Sequence, residues 1–163
     1  MSMESTALLS SLSDQRDHVL GILEGLSDEA LRRPVLPSGR TCLGLVRHLA
    51  IDVERFWFRA IVAGEQLDFE ESRANAWKVT SEVPVKSLFD LYRHEMNLAN
   101  AIIAATPPDA PPAWWPEEHW PSWRFHDLRE TILDVISETA VHAGHFDAVR
   151  ELIDGRTWLV LTE

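Results

Sequence analysis

The chain has 163 residues, 45% hydrophobic and 25% charged, which fits one globular domain spanning 1–163 and excludes a disordered or fibrous chain. Its formal net charge of −11, from 26 acidic against 15 basic residues, opposes phosphate backbones and anionic leaflets, so neither nucleic acid nor a membrane is an expected partner. Cys42 is the lone cysteine, so no intrachain disulfide is possible.

The opening MSMESTALLSSLSDQRDHVL has no basic segment followed by an apolar run, so no signal peptide is expected. No apolar stretch approaches the ~18 residues of a membrane span, and a cytoplasmic location is the expectation. The first helix is predicted over about 4–26, with Leu8, Leu12, Val19, Ile22, Leu23 and Leu26 at helical spacing. Ser27-Asp28-Glu29 caps one further short turn, and Pro34, Pro37 and Gly39 then force a loop. Thr41 caps a second helix over about 42–63, whose apolar stripe is Leu43, Val46, Leu49, Ala50, Val53, Trp57, Ala60 and Ile61. Residues 65–83 are polar and without period.

Pro84 opens a third helix running to Ala105, with Val85, Leu88, Phe89, Tyr92, Met96, Ala99, Ile102 and Ile103 on its buried face. TPPDAPPAWWPEEHWPSWRFH then reads as a long loop carrying Trp114, Trp115, Trp120 and Trp123. Long loops in compact domains are usually functional or disordered, and the tryptophans oppose disorder. They either pack over the end of the domain or wall a ligand pocket. The fourth helix spans about 127–154 and closes at Gly155, and the apolar tail at 158–161 is expected to pack back onto it. Four amphipathic helices with no competing strand pattern make an all-α four-helix bundle, whose long connections permit a crossover.

The chemistry concentrates on the fourth helix, in Ser-Glu-Thr-Ala-Val-His-Ala-Gly-His-Phe-Asp at 137–147. At ~100° per residue, Glu138, His142 and His145 lie within about 60° of one another around the axis. A carboxylate and two imidazoles on one stripe can share a metal ion, as comparable spacings do in di-iron carboxylate bundles; they can equally be a surface cluster. Gly144, between the histidines, costs about 1 kcal/mol against alanine in a helix and suggests close approach of something. On the second helix His48 interrupts an apolar run and is followed one turn later by Asp52. A lone half-buried histidine is more often a satisfied core residue. His48 joined with the fourth-helix cluster supplies the protein ligands of a zinc-type site with an open position. His18, His94, His119 and His126 are weaker candidates, and Cys42 reads as structural. No GxSxG elbow or phosphate-cradling glycine loop is present.

Leu-Gly-Leu-Val-Arg-His-Leu-Ala at 43–50, Val-Glu-Arg-Phe-Trp-Phe-Arg at 53–59 and the run from Glu138 to Gly155 resemble the DinB/YfiT-like metalloprotein superfamily, in its branch related to mycothiol-dependent enzymes. The resemblance covers nearly the whole chain. It implies a four-helix bundle holding one divalent metal, zinc or nickel, with His48 as the first ligand. In the mycothiol-dependent maleylpyruvate isomerases the last-helix pair is a Glu and a His four residues later, which Glu138 and His142 match. Many DinB-type members use two histidines four apart; Phe146 breaks that pattern here, leaving Glu138 and His145 as alternatives for the third ligand. The resemblance also implies a small-molecule substrate, a homodimer, and transfer or isomerisation with mycothiol, bacillithiol or glutathione. Arg55, Arg129 and Arg150 are candidates to hold the thiol's polar end. The competing expectation is a non-catalytic metal-dependent binding or sensor module.

Overall fold

A computed structural model describes residues 2–67 and 77–158. Helix α1 (Met3–Leu23) starts at Ser2, whose side chain accepts from the Ser5 amide, and Ser27 caps the single turn α2 (Asp28–Arg32) in the same way. Thr41 caps α3 (Cys42–His48), which continues unbroken into a π-helical segment, Leu49–Val62. Helix α4 is Val85–Ala105. Helix α5 is Leu128–Asp154, capped by Asp127 and ended by Gly155 at φ 75°. No strand occurs among the described residues, and none of their helices is long and apolar enough to cross a membrane.

The result is the all-α four-helix bundle expected from the periodicity, with the crossover that its long connections allow. Helices α1 and α5 lie side by side and run parallel. Arg129 pairs with Glu4 at one end, while Arg150 donates to the carbonyls of Ile22 and Glu24 at the other. The π segment and α4 run antiparallel. Arg59 meets Glu95, and farther along the guanidinium of Arg16, on α1, donates to both Glu54 and Asn100. The core joins all four long helices, with Leu12, Ile22, Leu43, Leu49, Phe58, Tyr92, Ile103, Ile132 and Phe146 almost fully buried.

The π-helical stretch corrects one detail of the expected stripe. An α-helical period stacks Trp57 under Val53, whereas hydrogen bonds reaching five residues back, such as Ala63 N–H to the Phe58 carbonyl, bring position 58 into that place. Phe58 is therefore fully buried and Trp57 only partly. The same wider turn brings Glu54 into the interior, where it is 1% exposed.

Trp57 packs against the edge of this core and also against a second apolar cluster, built from Ile61, Trp115 and Phe125 with Phe56, Trp114 and Trp120 around them. The Trp-rich loop is pinned at both ends by backbone hydrogen bonds. Ala113 and Trp114 donate to Val62 and Ile61, and Leu128 and Arg129 donate to Ala110 and Pro108. Trp120 stacks on Trp57 at 5.8 Å, and Trp123 meets Trp115, Trp120 and Phe125 edge to face. The loop thus caps the bundle, and Trp115, Trp120 and Trp123 also wall an open cleft of about 450 Å³. Of the expected apolar tail, Trp158 lies against Gly21 and stacks on His18 at 5.3 Å; residues 159–161 lie outside the described residues.

Candidate metal centre

His48 is the last residue of α3, at the point where α gives way to π geometry, a kind of irregularity common at functional sites. Its ring enters the space facing α5, where Glu138 and His142 project from adjacent turns. Among the described residues these three form the one group whose donor atoms gather closely enough to share a cation, all within 4.8 Å. Glu138 Oε1 lies 3.0 Å from His142 Nε2 and 3.4 Å from His48 Nε2. Ligands at ~2.0–2.2 Å from a tetrahedral ion stand about 3.3–3.6 Å apart, and the two separations from the Glu138 oxygen lie close to that range.

The surroundings prepare both imidazoles for that task. Asp52 Oδ2 accepts from His48 Nδ1 at 2.9 Å, which fixes the tautomer and leaves the Nε2 lone pair facing Glu138. Trp77 stacks on the other face of His48, with centroids 3.9 Å apart, and meets His142 edge to face at 5.9 Å. The Arg40 guanidinium lies over the Trp77 ring at 4.4 Å. Gly44 lets this layer form, because a Cβ there would stand 2.6 Å from the Trp77 carbonyl oxygen. Burial, and then the neighbouring His48, hold His142 below the usual histidine range, so it is neutral and able to ligate. Asp134, one turn before Glu138, is pushed up by burial and by the Glu138 charge.

The structure separates the four residues singled out in the sequence. His48, Glu138 and His142 converge, while His145 stands outside the group and approaches the other ring nitrogen of His142, Nδ1 to Nδ1 at 3.3 Å. His145 also borders a small cleft of about 260 Å³ shared with Leu36, Arg40, Leu45 and Val149. The weaker histidines lie elsewhere: His18 pairs with Asp147 and His126 with Glu130, and His94 and His119 are exposed.

The three arginines offered for the thiol's polar end are engaged within the fold. Arg55 bonds Glu95, Arg129 bonds Glu4 and Asp127, and Arg150 bonds Asp154 and the α1 carbonyls. Cys42 is buried, and desolvation lifts its thiol to about 11, which suits a structural residue. Trp77 was invisible in the sequence, since it sits in an aperiodic segment with no motif around it. Asp52 was signalled by its i+4 spacing from His48.

A family model described as mycothiol S-transferase matches residues 7–155. Comparisons with curated proteins and with solved structures give no match.

Proposed function

The chain belongs to the mycothiol S-transferase family, and from that premise we propose that it is a metal-dependent thiol S-transferase using one divalent cation, zinc or nickel, held by His48, Glu138 and His142. The observation that carries this reading is the convergence of two imidazole nitrogens and one carboxylate oxygen within 4.8 Å. Three protein donors, rather than four, favour a catalytic over a purely structural ion because a coordination position stays open. When bound, such a cation supplies the Lewis acidity that lowers a thiol's pKa toward neutrality.

The chain's own residues do the remaining work. Asp52 and His145 hold the two imidazoles in the tautomers that turn Nε2 toward Glu138. Trp77 covers one face of His48 and keeps water from it. Asp134 stands one turn from Glu138 on the same helix, where burial and the Glu138 charge raise its pKa above that of an ordinary aspartate; the proton that the thiol loses leaves to solvent. The thiol is a low-molecular-weight one of the mycothiol type, and its acceptor is a small electrophile that meets it at the open coordination position.

The test uses untagged protein, its metal content measured by mass spectrometry. Metal-loaded protein is then incubated with mycothiol, bacillithiol or glutathione and monochlorobimane. The proposal expects one equivalent of metal and thiol-dependent turnover that His142→Ala abolishes. Well-folded protein that takes up neither Zn²⁺ nor Ni²⁺, or turnover equal in wild type and variant, would overturn it. Full metal binding with no turnover on any thiol would favour a binding or sensor module instead.

A further inference from the structure

The small cleft that His145 borders has apolar walls, Leu36, Pro37, Leu45 and Val149, and a polar edge that includes Arg40 and His145 itself. Among the described residues no acidic side chain lines it, so it is spared the repulsion that a net charge of −11 imposes on anions elsewhere. Local structure delivers both polar groups. The Gly39 amide donates to the Leu36 carbonyl at 3.0 Å and Gly39 takes φ 73°, which closes a tight turn immediately before Arg40. The Arg40 guanidinium lies over the Trp77 ring, a contact that restrains the side chain without using its N–H donors. Among the described residues no carboxylate pairs with it, unlike Arg55, Arg129 and Arg150.

His145 uses only Nδ1 within the described residues, facing Nδ1 of His142 at 3.3 Å. The protons on this pair are tied to Glu138. Glu138 Oε1 and His142 Nε2 are 3.0 Å apart, and an ionised carboxylate only accepts, so a metal-free, neutral His142 keeps its proton on Nε2. His142 Nδ1 is then a lone pair. His145 must donate to it from Nδ1, which leaves His145 Nε2 a bare lone pair. With a cation held on His142 Nε2, the His142 proton sits on Nδ1 instead and His145 accepts there. His145 Nε2 has then become an N–H donor. The pair gains no charge; only its tautomers change.

We propose that this cleft binds a small carboxylate, gripped by Arg40 and by His145 Nε2, and that its affinity rises when the metal centre is filled. A guanidinium matches a planar carboxylate with two parallel hydrogen bonds, and the apolar walls suit a short hydrocarbon or aromatic body.

The tautomer change turns a repelling lone pair into one charge-assisted hydrogen bond, which sets the coupling at about 10-fold. By linkage, a bound carboxylate tightens the metal by the same factor. The carboxylate site stands on the cleft alone, while its coupling rests on the proposed metal centre.

Isothermal titration of benzoate into metal-free and Zn²⁺-loaded protein tests both parts. Benzoate should bind the metal-free chain weakly and the loaded chain about 10-fold more tightly, whereas benzamide, its neutral counterpart, should bind neither. Arg40→Ala, with circular dichroism unchanged, should weaken benzoate by about 10-fold or more in both states. In His145→Phe the metal-free binding should persist while the coupling drops below about 2-fold. Nitrogen-15 NMR should place the His145 proton on Nδ1 without metal and on Nε2 with it. Benzoate that tightens with Zn²⁺ but ignores Arg40→Ala sits on the metal itself, and that result rejects the carboxylate site, as does benzamide binding as well as benzoate. Equal benzoate affinity with and without Zn²⁺, in protein holding one equivalent, rejects the coupling. Protein that takes up no Zn²⁺ sinks the metal centre and the coupling together, and the metal-free titration then decides the cleft by itself.

Discussion

Glu138→Ala and His145→Ala remove two side chains from the same stripe of α5, and the contacts around His142 assign them unequal losses of metal affinity. Glu138 offers the oxygen on which both Nε2 atoms converge, at 3.0 and 3.4 Å, so its removal takes away a ligand and leaves two imidazoles that hold a cation poorly. His145 reaches only the opposite nitrogen of His142. Its removal leaves the donor set intact and frees the ring to turn, the kind of outer-shell loss that costs about 10–100-fold in affinity, or roughly 1.4–2.8 kcal/mol. Asp52→Asn, which acts on the far nitrogen of His48, should fall in the same range. Competition against a chromophoric chelator measures all three on one scale, with His142→Ala as the null. Should His145→Ala lose binding altogether while Glu138→Ala stays within a few-fold of wild type, the assignment is wrong and the third ligand is His145.

Arg16 and Glu54 form a two-pronged ion pair at 2.6–2.7 Å, both about 1% exposed or less; Glu54→Gln or Arg16→Met alone should cost about 3–5 kcal/mol, or about 10 °C in melting temperature, while Arg16→Met with Glu54→Leu should regain much of that in calorimetry. Burial lifts the Cys42 thiol from 9.0 to about 11, so the folded state keeps a proton that the unfolded chain has lost. Stability is full below pH 9.0 and should fall by on the order of 3 kcal/mol toward pH 11, a slope that urea titrations of Cys42→Ala should show reduced. Gly44→Ala places a methyl 2.6 Å from the Trp77 carbonyl and should destabilise by about 1–3 kcal/mol, with weaker metal binding measured alongside because Trp77 can no longer lie flat on His48.

What the sequence disclosed and what it hid follow from how far each signal reaches along the chain. Helix positions were legible because apolar spacing, Ser27 and Thr41 as caps, and Gly155 as terminator are local facts. The proximity of Glu138 to His142 was legible for the same reason: one turn of helix brings them together whatever the rest of the fold does. Which of Glu138 and His145 faces His48 was not local, since both flank His142 on its own helix. It depended on where His48 arrives from α3, a contact spanning 90 residues. Trp77 was hidden by the same rule, because it reaches His48 from a segment without period, through a gap that only Gly44 leaves open. The π-helical stretch was hidden differently: its apolar residues satisfy an α stripe nearly as well as a π one, and the choice appears only in which aromatic, Trp57 or Phe58, goes inside. Burying Phe58 releases Trp57 to anchor Trp115 and Trp120, so the Trp-rich loop owes its seat on the bundle to a change of helical pitch begun at His48.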